Sequence, residues 1–328
     1  MTTTLWDTNG GDIMRALSAE RRAGGAVASG LAVTFITVVD DKNIGDAERA
    51  AMIASQAHPC RLLMVIRRQV DTADRLDAEV QVGGRLGPIE AVVMRMYGRL
   101  TLHAESVVLP LLAPDAPVVT WWHGPPPDHI ATDPLGVLAS RRITDCALAS
   151  DPMAALRARA DDYAPGDSDL SWTRATPWRS LLASALDASA ATALSARVAA
   201  AENNPTAALL AGWISARLAI ASEIVTTPGP GVTGVELSLS EGGEAQTLVI
   251  DRPDGRLATF SRTGRPAREL PLPRRELGEL LSEELRRLEV DDIYGEALSY
   301  ATGVGGLGDR PPRRTHIWRD PALSQASR

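Results

Sequence analysis

Residues 31–39 read LAVTFITVV, a run of β-branched and apolar side chains that predicts a buried strand. Asn43 then provides a suitable N-cap for an alanine-rich helix. The His58-Pro59 pair ends that helix, because proline disfavours a helical conformation in the residue before it. A second apolar run, CRLLMVI from Cys60, predicts another buried strand. A strand, a helix and a strand in this order indicate an α/β domain whose sheet is covered on both faces.

The rest of the first half continues this alternation of strands and helices. AEVQV at 78–82 and EAVVMRM at 90–96 are close in sequence and predict an antiparallel pair. We therefore expect an N-terminal α/β domain over residues 1–162, with a mixed, mostly parallel sheet flanked by helices. The turn between the paired strands contains Gly83, Gly84 and Gly87. We also predict helices over residues 12–22 (stopped by Gly24 and Gly25), 100–112, 133–141 (capped by Asp133 or Thr132) and 152–162, and strands over 117–122 and 145–149.

The pattern breaks at residues 161–171, DDYAPGDSDLS, a polar stretch with proline and glycine that predicts a linker, which we place at 163–175. Thr176 and Pro177 then predict the N-cap and first residue of a helix. We expect a smaller C-terminal α/β domain over 176–302 and an extended or disordered tail over 303–328. Its predicted elements are a strand at 196–202, a long helix from Pro205, a strand at 235–240, a hairpin over 247–261 with a Pro-Asp-Gly turn, a long amphipathic helix within 274–290 and a short helix capped by Asp291.

Composition and charge narrow the class of protein. The chain has 328 residues, of which 45% are hydrophobic and 23% charged, as in soluble globular proteins. The formal net charge of -7 argues against a nucleic-acid binder, because such proteins neutralise phosphates. The N-terminal residues do not resemble a signal peptide, and the most apolar helical stretch is too short to span a bilayer. We therefore expect a cytoplasmic protein that does not bind nucleic acid or a membrane.

We interpret none of the sequence motifs in this chain as catalytic. GVGGLG at 303–308 matches a dinucleotide pattern, but it follows a terminal helix rather than linking a strand to a helix. The phosphate-loop, nucleophile-elbow and zinc-protease patterns do not occur. His123 and His129 share a proline-rich loop without a carboxylate or cysteine at metal-ligand spacing, so we interpret them as a surface pair. We expect no catalytic residue, no metal and no cofactor.

Two further features leave alternatives open. Cys60, next to His58-Pro59, is either a reactive thiol or a small apolar residue that opens a strand, and we favour the second interpretation. Cys146 is the other cysteine, and the pair forms no C-x-x-C motif. Arg274-Arg275 and Arg313-Arg314 would suit a phosphate or an acidic partner, but solvated charge is the more frequent explanation.

Tryptophan usage is unusual, with seven Trp against two Phe and four Tyr. Trp121 and Trp122 precede a loop of three prolines, while Trp172 and Trp178 lie beside the predicted linker. Tryptophan is enriched at protein interfaces, so these rings either anchor a partner or hold the two domains together. The two interpretations are compatible.

Five blocks of sequence carry a resemblance to a known family. They are HPCRLLMVI, PVVTWWHGPPP, DLSWTRATPWRSLLASALD, LLAGWISARLAI and LPRRELGELLSEELRRLEVDDIYGEAL. Together, and in this order over about residues 1–300, they resemble the OpcA family of glucose-6-phosphate dehydrogenase assembly proteins of actinobacteria and cyanobacteria. The resemblance implies a non-catalytic protein that promotes assembly or allosteric activation of the dehydrogenase that opens the oxidative pentose phosphate pathway.

The resemblance gives the tryptophans a suggested role. Neighbouring residues of a strand point to opposite faces, so we expect one of Trp121 and Trp122 in the core and the other on a surface. That surface, with the rigid loop 124–127, would dock the dehydrogenase or close against the segment 172–179. The partner-binding candidates are Trp121, Trp122, His123, Gly124, Pro125, Trp172, Arg174, Trp178 and Arg179.

Two alternatives accompany this interpretation. Some cyanobacterial members are associated with thioredoxin, for which only Cys60 and Cys146 are available here as weak redox candidates. The other alternative is an enzyme or sensor that binds a sugar phosphate or nucleotide in a cleft between the domains. In that case Arg61, Arg174 or Arg179 would hold the phosphate.

Overall fold

The computed structural model of the protein describes residues 2–23, 31–40, 42–83, 90–187 and 190–312. The predicted helix stops at Gly24 and Gly25, the turn glycines Gly84 and Gly87, and residues 313–328 of the predicted tail lie outside this range. The strands are β1 (Thr2–Leu5), β2 (Val33–Val39), β3 (Cys60–Arg67), β4 (Arg75–Val82), β5 (Glu90–Tyr97), β6 (Val118–His123), β7 (Arg141–Thr144), β8 (Asp167–Asp169), β9 (Thr192–Ala200), β10 (Ser222–Thr226), β11 (Val232–Glu241), β12 (Glu244–Asp251), β13 (Leu257–Arg262) and β14 (Arg265–Pro271). The helices are α1 (Gly10–Ala23), α2 (Ile44–Ala57), α3 (Ala104–Val108), α4 (Pro134–Val137), α5 (Pro152–Asp162), α6 (Leu170–Asp187), α7 (Pro205–Leu218), α8 (Leu277–Arg286) and α9 (Asp292–Thr302).

The described residues divide into two compact units. The first comprises residues 2–44 and 58–142, and the second comprises residues 45–57 and 143–310. Nearly all of α2 therefore belongs to the second unit, although this helix connects β2 to β3 along the chain. The domain limits derived from the sequence, at residues 162, 176 and 302, stay a prediction.

The first unit contains a mixed sheet with the strand order β1-β4-β5-β3-β2-β6-β7. Strands β5, β3, β2 and β6 are parallel neighbours, whereas β4 pairs antiparallel with β1 and β5. The register places Ile36 of β2 between Leu63 of β3 and Thr120 of β6, and all three side chains are buried. The predicted mixed α/β sheet and its antiparallel pair are confirmed.

The order of these strands locates a reversal of winding. From β2 the chain adds β3 and then β5 on one side, and it later adds β6 and β7 on the other side. The carboxyl ends of β2 and β6 therefore flank a topological switch point, where open α/β sheets form a crevice for ligands.

Three predictions in the first half are wrong in detail. Residues 100–112 do not form one helix: the five-residue α3 lies between two 3₁₀ turns, and Pro110 in the second turn cannot donate a helical hydrogen bond. Helix α4 is capped by Asp133, as predicted, but it ends at Val137. Residues 146–148 form a 3₁₀ turn rather than a strand, because the side chain of Asp145 accepts the N–H of Ala147.

The last strand of the first half is β7, which reads RRIT. Arg141 and Arg142 are both buried, with only 2% of each residue exposed. Hydrophobic patterning does not reveal a strand whose first two residues are arginines. The predicted helix over 133–141 therefore included a residue that begins a strand.

The segment 163–175, predicted as a linker, contains β8 and the first turns of α6. Asp169 in this segment is fully buried because its carboxylate has partners within and outside the segment: it accepts the hydroxyl of Thr144 and the N–H groups of Cys146 and Ser171. Helix α6 therefore begins at Leu170, and Thr176 is not its N-cap. Pro177 lies inside the helix rather than at its first position.

The second unit contains a six-stranded sheet with the order β10-β9-β11-β12-β13-β14. Strands β10 and β9 are parallel, and the other neighbours are antiparallel. Side chains of α6 and α7, including Trp178 and Leu210, form a core with Val235 and Leu248 of the sheet. The two α/β domains predicted from the sequence agree with this architecture.

Local signals in the second half correctly predict the hairpin turn at 253–255 and the cap at Asp291. The hairpin of β12 and β13 has a turn in which the side chain of Asp254 accepts the N–H groups of Arg256 and Leu257. Helix α8 begins with a capping box, and α9 is capped by the side chain of Asp291. Among the described helices, none is long and apolar enough to cross a membrane.

Candidate functional site

The carboxyl ends of β2, β3 and β6 surround a groove of about 280 Å³ in the first unit. We call it the switch-point groove, because it lies where the winding of the sheet reverses. The sequence WWHGPPP supplies most of one wall. The lining residues are Val38, Val39, Asp40, Arg67, Trp122, His123, Gly124, Pro125, Pro126 and Pro127.

Trp121 and Trp122 are both buried, with 0% and 2% of each residue exposed. Trp121 stacks on Phe35, with ring centroids 6.2 Å apart, while Trp122 belongs to the core on the other face of the sheet. The expectation that one ring lies on the surface is therefore wrong. Both faces of this sheet are covered, so alternation along β6 places each ring in a different part of the interior.

The loop after β6 is the exposed part of the groove wall. His123 is buried and its ring lies 4.7 Å from that of Trp121, so its interpretation as half of a surface pair is wrong, whereas Pro125 and His129 are exposed. Gly124 has φ +126°, a conformation that side chains rarely adopt, so glycine is needed where the chain leaves the strand. The following prolines restrict the backbone further. The loop is therefore a rigid rim held by a buried strand.

Neither the sequence that follows β2 nor the pairing of Arg67 favours a dinucleotide in the switch-point groove. Residues 40–46 read DDKNIGD, with three acids and one glycine, whereas a dinucleotide site has a glycine-rich turn that binds phosphate. Arg67 is paired with Asp133 at 3.3 Å, and Asp133 also caps α4 through the N–H of Leu135. The arginine that lines this groove is therefore already neutralised by a carboxylate.

Four of the predicted partner-binding residues lie in the second unit, on α6. Trp172 and Trp178 are each 1% exposed. The indole N–H of Trp172 donates to Asp291 at 2.9 Å, and the guanidinium of Arg179 lies 3.5 Å from the centroid of the Trp172 ring. Burial lowers the pKa of Arg179 to about 10.

Arg174 and Arg61, considered as phosphate ligands, both have carboxylate partners. Arg174 donates two hydrogen bonds of 2.7 Å to Asp145, one to each carboxylate oxygen. Arg61 is 2% exposed and donates to Glu90 at 2.8 Å and to the carbonyl of Leu111 at 2.7 Å. These contacts hold the fold and leave fewer donors for a ligand.

The two cysteines are buried and not bonded to each other. Burial raises the pKa of Cys60 to about 12. Burial raises the pKa of Cys146 further, and the carboxylate of Asp169 adds to the effect. A thiol that stays protonated is a poor nucleophile, so this environment disfavours thiol exchange. The redox role of Cys60 and Cys146 and the thioredoxin link stay predictions.

A second cavity, of about 130 Å³, lies wholly within the second unit. Arginine side chains dominate its lining, and we call it the arginine pocket. The pair Arg274-Arg275 is a partial signal in the sequence, although solvated charge is the more frequent explanation of such a pair. The pocket is lined by Arg174, Pro177, Trp178, Thr206, Gly231, Val232, Arg252, Pro273, Arg274 and Arg275.

Metal chemistry has no candidate centre in the part of the chain that the structure describes. Among these residues, no group of three or more His, Cys, Asp or Glu side chains is arranged to hold a metal ion.

The solved structures that match this chain are distant. A dehydrogenase (MviM) from Clostridium difficile has 7% identity, covers 84% of this chain and 98% of its own, and gives a TM-score of 0.41. An oxidoreductase from Sinorhizobium meliloti has 10% identity, covers 82% and 95%, and gives a TM-score of 0.36. Scores of this size support no functional argument. Comparison with curated proteins gives no match.

Family profiles match both halves of the chain. Residues 51–161 match the OpcA-family profile for the N-terminal domain of a glucose-6-phosphate dehydrogenase subunit. Residues 165–298 match the profile for the C-terminal domain of the same kind of protein. The two matches follow each other in the order that the sequence blocks indicated. The chain therefore belongs to the OpcA family of glucose-6-phosphate dehydrogenase assembly proteins.

Proposed function

We propose that this protein is a non-catalytic activator that binds glucose-6-phosphate dehydrogenase in the cytoplasm and favours its active oligomer or conformation. The observation that carries the proposal is the match of both halves to domains described as belonging to a subunit of that dehydrogenase. A binding protein shifts an equilibrium only by its difference in affinity for the two states. The activator therefore binds the active state of the dehydrogenase more tightly than the inactive state.

The contacts of the candidate residues support a role in binding rather than in chemistry. Three of the side chains singled out from the sequence are engaged in internal pairs: Arg61 with Glu90, Arg174 with Asp145, and Trp172 with Asp291. Each pair links residues that are far apart in sequence. Together, these three pairs stabilise the fold that presents a binding surface to the partner.

The surface that we propose for docking is the rim of the switch-point groove. Pro125 is exposed at its centre, with Asp128 and His129 exposed further along the loop. Proline restricts the unbound backbone, so less conformational entropy is lost when the loop is held by a partner. The buried Trp121 and Trp122 act indirectly, because they fix the strand from which the rim projects.

A titration with the dehydrogenase tests the proposal. Purified glucose-6-phosphate dehydrogenase from the same organism would be titrated with this protein over a range of glucose 6-phosphate concentrations. We expect a saturable rise in rate and co-elution of the two proteins on a sizing column. The change in KM or kcat would identify the state that is favoured. An unchanged rate together with separate elution would contradict the proposed function.

A further inference from the structure

We propose that the arginine pocket binds the phosphate group of a small phosphorylated molecule. The site goes beyond the activator role, because it gives the protein a ligand of its own. It also lies in a different unit from the proposed docking rim, and the two sites share no lining residue.

The charge of the lining is the first observation. Four arginines line the pocket, and none of the described residues that line it is Asp or Glu. Arg174 is neutralised by Asp145, and Arg275 is paired with Glu283. The remaining two, Arg252 and Arg274, form no salt bridge with a carboxylate among the described residues, although the charge of Asp254 acts on Arg252 from a longer distance. Two positive charges without a salt-bridge partner match a phosphate monoester, which carries close to two negative charges at neutral pH.

The second observation is that Arg252 is a buried cation. It is 5% exposed, and its terminal nitrogens donate to the carbonyl oxygens of Leu272 and Val232 at 3.0 and 2.7 Å. Its Nε has no acceptor in the described part of the chain. Its guanidinium lies 4.8 Å from the centroid of the Trp178 ring. A buried charge without a counter-ion is costly, and a bound anion would offset that cost.

The positive charge of the neighbouring Arg274 further destabilises the charged form of Arg252. Burial and the nearby Arg274 lower the pKa of Arg252 to about 10. Arg274 is held in place by a bond to the carbonyl of Pro230 and by its position above Gly255, where a β-carbon would collide with the guanidinium. Like charges gathered around a cavity are therefore fixed by the fold rather than free to separate.

The N-terminus of α7 adds to the positive electrostatic potential of the arginine pocket. Thr206 lines the pocket at the second position of this 14-residue helix, whose N-cap is Asn204. The N-terminus of a helix carries a partial positive charge and N–H groups without helical acceptors. This feature would not define a site by itself, but it reinforces the charge of Arg252 and Arg274.

The size and walls of the pocket indicate the ligand class. A water molecule needs roughly 10–15 Å³ of such space, so about 130 Å³ has room for a phosphate with a small organic part. Pro177, Trp178 and Pro273 provide apolar wall for that part. A phosphate ester therefore fits the pocket better than the free ion.

Calorimetric titration of the full-length protein tests the proposal. The probes are glucose 6-phosphate, glycerol 3-phosphate and phosphoenolpyruvate, with inorganic phosphate, glucose and glycerol as comparisons. We expect saturable binding of at least one ester and no binding of glucose or glycerol. Arg274→Gln should weaken that ester's binding at least tenfold. The matched control is Arg268→Gln, which removes an exposed charge of the same unit outside the pocket and should leave the affinity unchanged.

Folding is checked separately from binding. Arg274 is exposed, so its variant should keep the circular dichroism spectrum and melting temperature of the parent protein. Arg252→Lys provides a second variant, which keeps the charge but loses the planar fork. The double variant of Arg252→Lys and Arg274→Gln should bind the ester more weakly than either single variant.

Three results would overturn the proposal. These are the absence of saturable binding by every phosphate probe, equal weakening by Arg268→Gln and Arg274→Gln, and binding of inorganic phosphate as tight as that of the best ester. The titration contains no dehydrogenase, so its failure would leave the proposed activator function untouched.

Discussion

The guanidinium of Arg275 donates a hydrogen bond to the backbone carbonyl of Thr173. In a regular helix this carbonyl would accept the N–H of residue 177, but that residue is Pro177 and has no N–H. Arg275 therefore replaces the missing donor from outside the helix. The contact explains how α6 continues through a proline that the sequence indicated as its first residue.

A double-mutant cycle tests this relationship. Arg275→Ala should cost about 1–3 kcal/mol, because it leaves the Thr173 carbonyl without a donor and removes one of the two donors to Glu283, the other being the hydroxyl of Thr176. Pro177→Ala restores the N–H, so Arg275→Ala should cost about 0.5–1 kcal/mol less in that background. Urea denaturation of the four proteins measures the difference. The Glu283 contact is present in both backgrounds and cancels, and additive changes would contradict the interpretation.

Replacing either of the buried tryptophans of β6 should lower the stability of the protein. Trp121→Ala and Trp122→Ala should each lower the free energy of unfolding by about 3–5 kcal/mol, as expected for a large ring removed from a core. Trp6→Ala is the matched control, because Trp6 is 69% exposed and its loss should change stability by about 0.5 kcal/mol or less. Urea midpoints provide the measurement. A variant at Trp121 that kept its midpoint but lost activation would show that this ring contacts the dehydrogenase.

The proposed docking rim is tested by a charge at its exposed proline. Pro125→Glu should weaken the apparent affinity for the dehydrogenase at least tenfold, because a charge in the centre of an interface must be desolvated. Pro114→Glu is the control, since Pro114 is exposed at the opposite end of the same strand. Both variants should keep the melting temperature of the parent protein. Equal affinities of the two variants would exclude the rim as the docking surface.

The buried thiol of Cys60 predicts a pH dependence. Its pKa is about 12 in the folded protein and about 8.5 in an unfolded chain. Between these values the unfolded state binds fewer protons, so the thiol's contribution to stability is complete below about pH 8.5 and is lost as pH rises towards 12. Between about pH 9 and 10.5, the stability of the parent should fall more steeply than that of Cys60→Ala, by up to about 1.4 kcal/mol per pH unit.

Comparing how steeply the stability of the two proteins falls with pH separates the Cys60 thiol from the other groups that titrate at alkaline pH. Cys60→Ala changes the stability at neutral pH, but the remaining titratable groups are shared by both proteins. Chemical denaturation at several pH values measures the two curves. Parallel curves would show that the Cys60 thiol is not the group that titrates.

Much of the fold was predictable because short-range signals determine it. The runs at β2 and β3 consist mainly of apolar and β-branched residues, and the segment between them offers Asn43 as a cap and Pro59 as a stop. The caps Asp133 and Asp291 and the turn at Asp254 bond to N–H groups two or three residues away. Such interactions depend on neighbouring residues alone, so they are visible in the sequence.

The errors arose where a distant residue supplied the missing partner. Strand β7 begins with two buried arginines, and β8 reads DSD but is buried because Asp169 bonds to Thr144 and Cys146. The exposed tryptophan expected at residues 121 and 122 does not exist, because both faces of β6 are covered. Local polarity predicts exposure only when no partner arrives from elsewhere in the chain.

By itself, the sequence determined the α/β class, the antiparallel pair, the hairpin turn and the family, because each depends on residues that are consecutive or on blocks in a recognisable order. Only the tertiary structure decided that the WWHGPPP loop borders a switch point and that Arg174, Arg252 and Arg274 line one pocket. These arginines lie on α6, directly after β12 and in the segment before α8. Side chains so far apart along the chain meet only through the packing of helices on a sheet, which no local preference specifies.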